Sequence, residues 1–134
     1  MKKYLFIIVV LFCVNNINAQ DKLQFNGVNH ETNDNVRYKL YPTFNMWTFL
    51  KLDTQTGKVS MLQFSVESEK NECELFVGAP LEVYIGDDVV NGRYEIYPTT
   101  NIWTFIMIDQ INGNTYHIQW SNEKTYNNYV KKIG

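Results

Sequence analysis

Metal-binding and nucleophilic chemistry is what this chain has least of. His30 and His117 are its only histidines, and Cys13 and Cys73 its only cysteines. They do not have the spacing of a zinc site, and neither a metal nor a cofactor is expected. No Gly-x-Ser-x-Gly elbow is present and nothing supports a Ser-His-Asp arrangement, so no catalytic residue is assigned. Asn29, Glu31, Asn33 and Asn35 alternate like oxygen ligands, but the central Gly and closing Glu of a calcium loop are missing. Basic clusters are also absent, which removes the electrostatic footprint of nucleic-acid or anionic-membrane binding. Beyond the amino terminus no apolar run approaches the ~20 residues that span a bilayer.

The amino terminus itself reads as a secretory signal peptide. Lys2 and Lys3 precede an uncharged apolar run over 4–14, and a polar stretch then ends in the small residue Ala19. Cleavage after Ala19 predicts export to the periplasm or the cell exterior, with no span left behind. Cys13 follows the bulky Phe12, which does not suit a lipidation site. Residues 20–134 then form one domain, large enough to fold without a metal or disulfide staple. Losing Lys2 and Lys3 leaves 10 of the 12 basic side chains against 14 acidic ones, a net charge of -4. Cys73 is left alone and cannot make an intramolecular disulfide. Glu72 and Glu74 beside it disfavour a thiolate, which leaves an idle thiol or an intermolecular disulfide.

What the chain does have is an internal duplication. Residues 35–71 align without a gap onto 91–127, and 16 of the 37 positions are identical. Arg37-Tyr38, Tyr41-Pro42-Thr43, Asn45, Trp47-Thr48-Phe49, Asp53, Gly57, Gln63 and Ser65 recur as Arg93-Tyr94, Tyr97-Pro98-Thr99, Asn101, Trp103-Thr104-Phe105, Asp109, Gly113, Gln119 and Ser121. Each copy reads as three strands. The first, 36–43, alternates apolar with charged residues and stops near Pro42, which cannot donate to a ladder. The second, 46–53, is rich in aromatic and branched residues. The third, 58–66, returns after a hairpin in which Asp53 caps the turn and Gly57 supplies a left-handed residue.

Residues 72–90 link the copies and carry two further short strands, over 74–77 and 81–85. The stretch 20–35 is loop with an edge strand near Leu23 and Phe25, and a weak helical pattern covers 124–130. The expected fold is all-β: a small antiparallel sandwich or barrel of two pseudo-symmetric three-stranded repeats plus short linking strands, related by a pseudo-two-fold.

The second strand of each copy is apolar on both sides. Met46, Thr48, Leu50 and Leu52, with Ile102, Thr104, Ile106 and Ile108, make an aliphatic face, the better core candidate. Trp47 and Phe49, with Trp103 and Phe105, make the other face. Flat rings stack on sugars or apolar side chains, and amides fix orientation by hydrogen bonds. Tyr41, Trp47, Tyr97 and Trp103, with Asn45, Asn101, Gln63 and Gln119 nearby, are therefore the candidate ligand-binding residues. Where the copies diverge, the second gains Tyr116 and Trp120, which join that set and mark the second copy as the one expected to bind. The same rings serve equally as a second layer of core. Asp53 and Asp109 stand where turn capping accounts for them, so they make a weak carboxylate pair for glycoside hydrolysis. The expectation is a non-catalytic binding module for a glycan or a protein. A protein–protein element such as an inhibitor, an immunity-type protein or an envelope-complex subunit is the alternative, and a hydrolase is a third.

The run Tyr-Pro-Thr-x-Asn-x-Trp-Thr-Phe, followed by Asp, Gly and Gln-Phe-Ser or Gln-Trp-Ser, resembles a repeat in small, uncharacterised bacterial exported proteins. That resemblance covers both copies and implies no activity, substrate or site. The Asp-to-Gly hairpin is also similar to the blade hairpins of sialidase-type propellers, although two copies cannot close a propeller.

Overall fold

A computed structural model describes residues 35–82, 89–123 and 127–134. The expected leader, the strand near Leu23 and Phe25, and residues 29–34 of the oxygen-ligand pattern lie outside the described residues. So do 83–85 of one expected linking strand, and its first two residues, Leu81 and Glu82, are not in a strand.

The chain is all-β. Strands β1 (Tyr38–Pro42), β2 (Thr48–Asp53), β3 (Val59–Gln63) and β4 (Cys73–Gly78) form one antiparallel sheet in that order. A second sheet runs β5 (Tyr94–Pro98), β6 (Thr104–Asp109), β7 (Thr115–Gln119) and β8 (Tyr129–Lys132). The four strands of the second sheet begin at Tyr94, Thr104, Thr115 and Tyr129, each 56 residues after its counterpart. The repeated unit is therefore a four-stranded meander: β4, expected as a linking strand, is its last member in the first copy. The helical pattern over 124–130 gives way to β8 from Tyr129. Among the described residues no helix is long and apolar enough to cross a membrane, which says nothing of a β-barrel.

Local chemistry explains why the shared residues are shared. In the first turn the Thr43 hydroxyl donates to the Thr48 carbonyl at 2.9 Å and accepts the Asn45 N–H at 3.2 Å. Asn45 Oδ1 accepts the Trp47 N–H at 3.0 Å. Thr99, Asn101, Trp103 and Thr104 repeat these bonds. At the hairpins, Asp53 Oδ1 accepts the Gln55 N–H and Asp109 Oδ1 accepts the Ile111 N–H, both at 3.0 Å. Such side-chain caps let a short turn satisfy its own backbone.

Each hairpin closes on a glycine in the left-handed region, Gly57 at φ 71° and Gly113 at φ 75°. Their surroundings differ. A Cβ on Gly57 would sit 2.8 Å from Pro80 Cδ, whereas nothing lies within 4 Å of one on Gly113. Gly113→Ala should cost only the backbone strain, about 1–2 kcal/mol. Gly57→Ala adds overpacking and should cost about 2–4 kcal/mol. Urea unfolding of the two variants checks the difference.

The sheets pack face to face around one core, with contacts between β2 and β5 and between β4 and both β7 and β8. Sheet 1 buries Leu50, Leu52, Val59 and Met61, the aliphatic face. Sheet 2 buries Tyr94, Ile96, Phe105, Met107, Tyr116 and Ile118. Those are not the same faces. Phe105 and Met107 are counterparts of Phe49 and Lys51, which point away from the core in sheet 1, while Ile106 and Ile108 point outward in sheet 2. The expected aliphatic core thus holds for the first copy from Thr48 to Leu52, with Met46 exposed ahead of the strand, and is overturned for the second. A two-fold axis would bury equivalent faces, so the sheets are related head to tail, and the expected pseudo-two-fold is corrected. Thr54 fixes the arrangement: fully buried, it accepts the Gly92 N–H on its hydroxyl at 2.9 Å and the Tyr94 N–H on its carbonyl at 2.9 Å.

Candidate functional site

The two Trp-bearing turns meet at one end of the molecule. Phe44 and Asn45 of the first turn lie with Ile102 and Trp103 of the second around an apolar cleft of about 260 Å³, and Trp120 closes it. Asn45 also borders a second, more polar cleft of about 350 Å³, shared with Trp47, Gln63, Phe64, Glu67, Asn71 and Asn122. Asn45 thus stands between both clefts.

The rings are held in pairs. Trp47 meets Phe64 edge-on with centroids 5.5 Å apart, and Trp103 meets Trp120 at 5.1 Å. These are the same pair in the two copies, since Phe64 and Trp120 are counterparts. Trp47 and Trp103 are 37% and 36% exposed, so each packs one side of its ring and presents the other. Trp120 is buried at 1% exposure, and its Nε1–H has no acceptor among the described residues. A buried indole N–H beside an apolar cleft is a donor with a cost already incurred, which a ligand oxygen can relieve.

The remaining candidates are distributed differently. Asn101 is exposed and uses its Oδ1 on the Trp103 N–H at 2.9 Å. In both turn asparagines this leaves the amide nitrogen for another partner. Tyr97 is half exposed and donates its hydroxyl to Glu95 at 2.9 Å, outside either cleft. Tyr41 packs partly buried against the core. Tyr116 lies inside the core, and its hydroxyl donates to Glu82 at 2.6 Å. That bond, and next the Lys132 ammonium at 2.9 Å, holds the Glu82 carboxyl below the usual carboxylate range. Gln63 donates to the Asn71 carbonyl at 3.0 Å.

Sequence reading missed Phe44, Phe64, Ile102, Asn71 and Asn122. Phe64 was within reach, because its counterpart Trp120 had been singled out. Asn122 was not, because only the packing of one sheet on the other brings it to the first copy.

The acidic side chains at the hairpins are occupied. Asp109 accepts from Arg93 Nε at 3.1 Å and from its Nη2 at 2.7 Å, fully buried. Asp53 meets Arg37 at 3.2 Å near the surface. No cluster of three or more His, Cys, Asp or Glu exists among the described residues. Cys73 is exposed at the start of β4. Comparison with protein-family models, with curated proteins and with solved structures finds no match to this chain.

Proposed function

We propose that the chain is an exported, non-catalytic binding module, with its ligand held at the end where the two Trp-bearing turns converge. One observation carries this reading: two half-exposed tryptophans, one from each copy, flank Asn45 and the two clefts it separates. Among the described residues the larger cleft offers several amides, one carboxylate and no cation. Rings that stack and amides that donate and accept suit a neutral, hydroxyl-bearing ligand, and a glycan fits that chemistry better than a nucleotide or a charged peptide. The export expected from the amino-terminal sequence agrees with such a ligand.

A glycan array with the purified chain tests this. Binding should weaken about tenfold or more in Trp103→Ala and in Trp47→Ala, the loss typical of a central aromatic anchor. Ligand addition should also protect the two indoles from acrylamide quenching. A hit that both variants retain would place the ligand elsewhere, and an array without hits would sink the glycan reading. A protein partner is the second reading, favoured by the apolar outer face of sheet 1, where Tyr38 and Leu40 are each 55% exposed.

A further inference from the structure

The head-to-tail packing of the sheets leaves two outer faces that are themselves a mating pair. The seam inside the chain joins the aliphatic face of one unit to the Phe-bearing face of the next. Outside, sheet 1 still shows its own Phe-bearing face and sheet 2 its own aliphatic face. Counterparts make the point: Tyr94, Ile96 and Trp120 are 0%, 2% and 1% exposed, whereas Tyr38, Leu40 and Phe64 are 55%, 55% and 37% exposed. The residue types are nearly unchanged, and only the covering sheet is missing. On the far side, Ile106 and Ile108 of sheet 2 repeat Leu50 and Leu52, which are fully buried at the seam.

We infer that a second copy of this chain docks on these faces, sheet 2 of one copy against sheet 1 of the next, by the same packing that joins the two sheets within a chain. Lys51, which stands where Met107 does, is neutralised on the same face by Glu74. Apolar patches of this kind mark interfaces. A heterologous contact propagates until its rotation closes a ring, or forms an open stack if it does not.

The proposal goes beyond the ligand-binding reading and is tested apart from it. Sedimentation velocity of the purified chain should show multiples of the single-chain mass that grow with concentration. Leu40→Arg blocks one outer face and Ile106→Arg the other, and each alone should sediment as a single chain. Mixed in equal amounts, the two should recover a dimer and nothing larger, because each keeps the face the other lacks. That complementation also shows both variants folded. His117→Arg, on the same face as Ile106, serves if Ile106→Arg unfolds. A single-chain mass for the wild type at its highest soluble concentration overturns the proposal, as does a dimer formed by either variant alone or a mixture of two natively folded variants that stays monomeric. None of these positions lines a cleft, so glycan binding lost in Trp103→Ala is independent of the outcome.

Discussion

Asp109→Ala should destabilise the fold by about 3–5 kcal/mol, while Asp53→Ala, the same change at the counterpart position, should cost about 1 kcal/mol or less beyond its lost turn cap. The two aspartates share a sequence context and both cap a hairpin, but they sit in different dielectrics. Arg93 and Asp109 have side chains 1% and 0% exposed and meet through more than one hydrogen bond. Removing the carboxylate strands a guanidinium that water cannot reach. The Arg37 side chain is 50% exposed, so its charge is solvated with or without Asp53. Guanidinium chloride unfolding of both variants reads the difference.

A pH dependence follows from the same pair. Burial by itself pushes the Asp109 carboxyl up, but the Arg93 guanidinium and the N–H groups of Ile111 and Asn112 outweigh it and hold the group below its ordinary value of 3.8. The folded chain therefore binds this proton more weakly than the unfolded chain does. The stabilisation is complete above the ordinary value and is lost as pH falls through the lower, folded one. Asp109→Asn should thus be less stable at neutral pH and lose less on acidification than the wild type.

The repeat makes most of the architecture legible in the sequence. Turn residues such as Thr43, Asn45, Asp53 and Gly57 are fixed by local bonds, so they persist in both copies and announce the strands between them. Two features were hidden, for different reasons. Strand β8 carries Tyr129-Val130-Lys131-Lys132 where β4 carries Cys73-Glu74-Leu75-Phe76, with no residue in common. Edge strands are held by main-chain ladders, which leave side chains free to diverge, so the alignment lost the fourth strand of the unit. The packing direction was hidden in β6, where Phe105 and Met107 on one face and Ile106 and Ile108 on the other are all apolar. Alternation selects a buried face only when the other face is polar; Lys51 supplies that polarity in β2 and Met107 removes it in β6. The candidate site shared that ambiguity: the turns placed Trp47, Trp103, Asn45 and Asn101, but Tyr116 and Trp120 sit on whichever face of sheet 2 the first sheet covers.

Truncations at counterpart positions should therefore give a crossed pattern. Leu50→Ala should cost about 2–5 kcal/mol, since Leu50 is fully buried with its neighbours Leu52 and Met61. Ile106→Ala, at the counterpart on the outer face of sheet 2, should cost well under half as much in the isolated chain. On the alternate positions the order inverts. Met107 is fully buried and Met107→Ala should again cost about 2–5 kcal/mol, whereas Lys51→Ala removes a part-exposed ion pair with Glu74 and should change stability by about 1 kcal/mol or less. A two-fold sandwich predicts the opposite: equal costs at equivalent positions, whichever face they occupy. Four thermal melts decide between the arrangements. Repeating them at rising protein concentration adds a second test, because a covered outer face would make Ile106→Ala, but not Leu50→Ala, progressively more costly relative to the wild type as copies stack.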